Sequence, residues 1–297
     1  MEDIDFCMEG AFDLHVHTSP DVLERKVNDF ELARLMQKEK MGGFVIKSHH
    51  STTYGRASLA TTEVQGVSVF GSIALNNPLG GLNLQAVDTA GRMGAKIIWM
   101  PTVDSVNEKG KFLTQDPAKL PYWAAIQKEL HDQGRLKAPV DLKDENGNFK
   151  HEVGEIIDLI KDYNMILATG HLKPQESIEL IKFARGAGLD RIIVTHPEFP
   201  TTYFTIEEQK KLCGYGVYFE RCYTTPATKK TEWDYVYREI SETGPGRNIL
   251  STDLGQPKAL LPTEGYRKFV EFFKQKGLST KDIKKMTTDN QRKLLFE

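Results

Sequence analysis

Short apolar runs that close on polar residues recur along the chain. They alternate with segments whose apolar positions fall three and four apart. The first kind reads as strands and the second as amphipathic helices. Strands are predicted over residues 12–17, 44–50, 67–75, 95–102, 165–171, 191–196, 217–222 and 248–253. Asn28-Asp29-Phe30-Glu31 opens a helix with a capping-box pattern, and Ser51-Thr52-Thr53 can cap the next. Trp233, Val236, Tyr237 and Ile240 form a core-facing stripe, and a terminal helix runs from Ser279 toward Leu294. The strands end at near-even intervals, about one βα unit apart, with one exception. Residues 103–151 break the rhythm and hold Asn146-Gly147-Asn148, a hairpin-turn signal. This stretch is predicted to be an insertion near the functional face, serving as a partial lid or an oligomer contact.

Strand–helix alternation fits a barrel and equally a doubly wound open sheet. The polar residues separate the two. His17, His49, His171, His196 and Asp253 all fall at strand C-termini. A barrel gathers every such end at one mouth, whereas an open sheet leaves its edge strands apart. The expectation is an α/β protein, a single-domain (β/α)8 TIM barrel over residues 1–297, with the insertion after the fourth strand.

Asp13-Leu14-His15-Val16-His17 carries the first chemical signal. Histidines at i and i+2 of a strand share a face, so His15 and His17 can reach one metal ion at about 2.0–2.1 Å. The bland alternative is a half-exposed strand with two chance histidines. Lys47-Ser48-His49-His50 is the second signal, with Lys47 and His49 on one face if the strand continues. Lys47 could be carbamylated into an anionic metal ligand, or could stay a cation that binds substrate. Its alternative is a surface lysine at a strand end. His171 and His196 each close an apolar strand at the same position. Asp253 can bind metal and take a proton from a metal-activated water, or can simply cap a helix. Arg25 and Arg56 lie on loops after the first two strands and could clamp an anionic group of a substrate. His131 and His151 fall in the insertion and read as solvated.

Charge narrows the partners. Lysine and arginine total 39 against 41 acidic residues, so no positive field points to nucleic acid or an anionic membrane. The acidic start, Met1 to Asp5, lacks the pattern of a signal peptide, and no apolar run is long enough to span a bilayer. Three cysteines suit a reducing compartment better than a disulfide framework, so a cytoplasmic location is expected. The expected partner is a small-molecule substrate, and a homo-oligomer is compatible.

His15-Val16-His17, His171, His196 and Asp253, taken in that order, resemble the amidohydrolase superfamily of metal-dependent barrel hydrolases. Residues 286–295 are similar to that family's terminal helix. The resemblance implies one or two divalent metals, usually zinc, with manganese or iron as alternatives. It also implies hydrolysis at a carbonyl or phosphorus centre, such as an amide, ester or lactone of a small molecule. His15, His17, His49, His171, His196 and Asp253 would hold metal, with Asp253 also acting as base. The chain departs from the family at the fourth strand, which ends Trp99-Met100-Pro101-Thr102 without a bridging ligand. Lys47 is an unorthodox substitute. The first strand and Ser48-His49 also look like PHP phosphoesterases, but the Asp-x-His expected of those at the last strand is absent, because residue 255 is glycine.

Overall fold

The computed structural model describes residues 2–114 and 120–297. Its strands are β1 Phe12–Val16, β2 Gly43–Ile46, β3 Ser68–Phe70, β4 Ser72–Ala74, β5 Ile97–Trp99, β6 Ile166–Ala168, β7 Ile192–Thr195, β8 Tyr218–Cys222 and β9 Asn248–Ser251. They form two all-parallel sheets, ordered β1-β2-β3 and β4-β5-β6-β7-β8-β9. The predicted third strand is therefore two strands, separated by Gly71. A Cβ there would lie 2.1 Å from the Tyr54 Cα, so only glycine lets the start of the preceding helix, Tyr54–Glu63, come this close. At the other end of the order β1 meets the exit of β9. Asp253 N donates to His15 O and His17 N donates to Leu254 O, both at 2.8 Å.

Side-chain alternation sorts the core. Val45, Ala74, Ile97, Trp99, Ile166, Ala168, Ile193, Tyr218 and Ile249 pack together on the inner side. Their strand neighbours Phe44, Ile98, Leu167, Val194, Phe219 and Leu250 face the surrounding helices. β1 breaks the alternation. Phe12 and Leu14 join the inner cluster and Val16 the outer one, and the register slips between Asp13 and Val16. Such an irregularity re-aims a side chain. It brings His15 to the same inner side as Leu14, with its ring 4.8 Å from that of Trp99.

The capping box at Asn28 and Glu31 forms as expected at helix Asp29–Lys38. Thr53 does not cap its helix; its hydroxyl donates to Ile46 O at 2.8 Å. The predicted terminal helix is interrupted. Helix Thr280–Lys284 passes through a π-helical turn, Lys285–Asp289, before helix Asn290–Phe296. The side chains of Asn290 and Gln291 then donate to Asn248 O and Leu250 O beneath β9. In the long stretch between β5 and β6, Lys143 and Phe149 pair antiparallel across the predicted turn, and helix Ala124–Asp132 follows the undescribed residues. Among the described residues no helix is long and apolar enough to cross a membrane.

Candidate active site

The strand C-termini surround a cavity of about 640 Å³ whose wall includes His17, His49, His171, His196 and Asp253. His15 lies just beneath, fully buried. Ring centroids run 5.5 Å from His15 to His17, 5.1 Å from His17 to His49 and 5.7 Å from His49 to His171. The circuit continues 5.1 Å to His196 and 6.1 Å back to His15. Asp253 Oδ1 stands 3.1 Å from both His15 Nε2 and His17 Nε2. Those three ligand atoms lie within 4.8 Å of one another, close enough to share one cation. Asp253 has φ +53° and His196 φ +26°, a costly backbone for non-glycine residues that here turns both side chains into the cavity. Asp253 caps no helix, since the next one begins at Pro262.

The hydrogen bonds set which nitrogen of each ring faces inward. Buried Glu220 accepts from His15 Nδ1 at 3.0 Å and from the Ser251 hydroxyl at 3.1 Å. His15 Nε2 is thus left toward Asp253. The Thr202 hydroxyl donates to His196 O at 3.0 Å and so accepts from His196 Nδ1 at 3.1 Å. Burial pushes the pKa of His17 down to about 3 and that of His196 down to about 4, so both rings are neutral at pH 7. Burial works against ionised Asp253, but the facing His15 and His17 outweigh it and hold the carboxyl well below its usual range. Among the described residues His17 Nδ1 and His171 Nδ1 are buried without a hydrogen-bond partner. Orphan nitrogens of this kind are costly in a closed site, and a set of imidazole and carboxylate donors suits zinc, manganese or iron.

Lys47 is 1% exposed, which removes the surface-lysine alternative. Its Nζ lies 3.0 Å from His15 Nε2 and 4.2 Å from the centre of the Trp99 ring. Burial lowers its pKa, partly offset by Asp253 and Glu220. The Trp99 ring at the end of β5 is therefore a platform for this lysine. Arg25 reaches the cavity wall, but its Nε and Nη2 are held by buried Asp21 at 2.9 and 2.8 Å. Arg56 is not among the lining residues. It ties down the loop after β1 by donating to Thr18 O at 2.8 Å and to Pro20 O, and it pairs with Asp29 at 3.1 Å. His50 is half-buried, and His151 is largely exposed.

Sequence reasoning missed Glu220. Its signal was alternation: with Tyr218 and Cys222 it shares the inner face of β8. Cys222, read only as a buried thiol, sits 3.8 Å from His15 Nδ1. From the stretch between β5 and β6, Glu108 and residues 120–123 reach the cavity wall, and Trp123 lies 6.3 Å from the His171 ring.

Parallel α/β structures of this kind occur among hydrolases already solved. An amidohydrolase from Pseudomonas aeruginosa matches with a TM-score of 0.66 at 10% identity, over 98% of this chain and 97% of that one. The probable dipeptidase PvdM from Pseudomonas aeruginosa matches with 0.66 at 9%, over 99% and 97%. The organophosphorus hydrolase from Deinococcus radiodurans matches with 0.59 at 12%, over 98% and 93%. At these identities the likeness is one of fold. No curated protein matches the sequence significantly. The chain belongs to DUF6282, a family of unknown function whose profile matches residues 10–220.

Proposed function

We propose that this protein is a metal-dependent hydrolase that cleaves an amide, ester or lactone of a small molecule. The observation that carries the reading is the convergence of His15 Nε2, His17 Nε2 and Asp253 Oδ1 at the cavity floor. The fold it shares with an amidohydrolase, a probable dipeptidase and an organophosphorus hydrolase adds support. Gly71 as a break within one strand, together with the β1–β9 hydrogen bonds, supports a closed eight-stranded (β/α)8 barrel. In this reading residues 1–297 form one domain, and the stretch 103–151 is an insertion lying partly over the mouth.

His15, His17, His171, His196 and Asp253 would hold one or two divalent ions, zinc fitting the donor set best. A metal there would lower the pKa of a coordinated water from 15.7 toward about 7 and polarise a substrate oxygen. Asp253, ionised and in hydrogen-bond reach of two imidazoles, takes the proton of the attacking water and later returns it to the leaving group. Glu220 fixes His15 as an Nε2 donor. Lys47 Nζ stands 3.0 Å from that nitrogen, and its ammonium would repel a cation bound there. Burial favours the neutral amine, the form that adds carbon dioxide to give an anionic carbamate and a proton. Lys47 would then join the ligands. Arg25 orients an anionic substrate group from the wall, while the contacts of Arg56 give it a loop-bracing role instead. The testing experiment is a panel of lactones, esters, amides and phosphate esters against zinc- and manganese-loaded protein. Turnover of a carbonyl substrate, abolished by Asp253→Ala, is expected; a metal-loaded protein inert across the panel would overturn the reading.

A further inference from the structure

His49 and His196 both present Nδ1 to a threonine hydroxyl, but the two pairs run in opposite senses. Around His49 the donors can be counted. The Asn76 side-chain oxygen accepts from Thr102 N at 2.9 Å and Asp104 N at 3.2 Å, which fixes the amide orientation. Its nitrogen must then donate, to His49 O at 2.9 Å and to Thr102 Oγ1 at 2.6 Å. Thr102 is fully buried, and its oxygen already accepts one hydrogen. Among the described residues the remaining partner for its own proton is His49 Nδ1, at 2.9 Å. The reverse arrangement would load both hydrogens onto the Thr102 oxygen and leave its proton buried without an acceptor, which is costly. At His196 the hydroxyl proton goes instead to a carbonyl, so there Nδ1 is the donor.

We propose that His49 is a hydrogen-bond donor to the substrate, not a metal ligand, because the Thr102 hydroxyl holds its ring proton on Nε2. A ligating nitrogen needs a free lone pair, and an Nε2 carrying hydrogen has none. The ring lines the cavity with Nδ1 turned away, so Nε2 is the nitrogen offered to whatever binds there. The tautomer follows from the hydrogen bonds alone; what the donor meets rests on the hydrolytic reading. There, the water oxygen bonds to the carbonyl carbon, its proton passes to Asp253, and the carbonyl electron pair moves onto oxygen. His49 Nε2–H hydrogen-bonds that charged oxygen and keeps its proton. When the pair returns, the leaving group departs with the proton from Asp253. A fixed donor of this kind acts where charge develops.

The test uses zinc-loaded protein with ¹⁵N-labelled histidine. His49 signals, assigned by their loss in His49→Gln, are expected to show hydrogen on Nε2 and no metal-bound nitrogen. Thr102→Val, which removes the hydroxyl, should free the ring to shift toward Nδ1–H. Zinc content of His49→Ala should stay within about twofold of the parent. His196→Ala should weaken zinc by more than the roughly 10–100-fold cost of losing an outer partner. An Nδ1–H ring at His49, unchanged signals in Thr102→Val, or zinc loss in His49→Ala equal to that in His196→Ala would overturn the proposal. Protein that takes up no zinc at all would instead contradict the hydrolytic reading, while the nitrogen spectrum would still decide the tautomer.

Discussion

Replacing Glu220 separates the two tasks its carboxylate performs. It accepts from His15 Nδ1 at 3.0 Å, is wholly buried, and is itself held by the Ser251 hydroxyl. Glu220→Ala strands a buried ring N–H, which costs about 1–3 kcal/mol of folding stability. It also frees the His15 ring to turn or change tautomer, and loss of such an outer partner weakens metal binding by about 10–100-fold. That range is about 1.4–2.8 kcal/mol of binding energy. Glu220→Gln keeps an acceptor oxygen but removes the charge. It should therefore retain most of the stability while metal affinity drops by about tenfold, toward the low end of that range. Chelator competition gives the metal dissociation constants, and denaturant unfolding gives the stability. Alanine and glutamine variants that both hold metal within about twofold of the parent would refute the idea that Glu220 orients a ligand.

Other substitutions probe the rest of the floor. Asp253→Asn should lower turnover by about two orders of magnitude or more, as for a lost general base, while leaving most of the metal in place. Its fold cost should be small, because asparagine tolerates the positive φ and no helix loses a cap; turnover near the parent's would remove the assigned role. Lys47→Ala should lose metal, and bicarbonate with a short carboxylic acid should restore part of it. A variant that keeps metal but binds substrate less well would make Lys47 a cation. The low pKa values of His17 and His196, about 3 and about 4, mean that protons compete for these rings only near those values. Burial and Lys47 work to lower the pKa of His15, but Asp253 and Glu220 outweigh them and raise it, so His15 is the ring that protons contest first. As pH falls from 7 to about 5, His17 and His196 should stay unprotonated in a histidine titration; protonation of either near the usual pKa of about 6.5 would show an ordinary, solvated ring.

The residues legible in the sequence are those that end apolar strands. His17, His171, His196 and Asp253 stand out because a polar side chain closing such a run has little other reason to be there. The structure gathers them at one cavity. Glu220 was hidden by Arg221 beside it, since adjacent opposite charges read as a solvated pair. Alternation separates them: Glu220 turns inward to His15, and Arg221 turns outward into a buried cluster with Glu198 and Glu239. The irregularity in β1 and the break at Gly71 left no trace, because both depend on how closely a neighbouring segment approaches. Thr102 drew notice only as part of a strand end, Trp99-Met100-Pro101-Thr102, that carries no bridging ligand. Its meaning lies in a hydrogen bond to His49, which cannot be read until Asn76 is placed beside it. Arg56 looked like an anion clamp for the opposite reason: its carbonyl and Asp29 partners are brought to it by folding.

The most direct test of the account is the metal content of protein purified without chelator, alongside the double variant His15→Ala, His17→Ala. The account predicts at least one transition-metal ion per chain in the parent and loss of most of it in the variant. A variant that folds and keeps the parent's full metal content would contradict it.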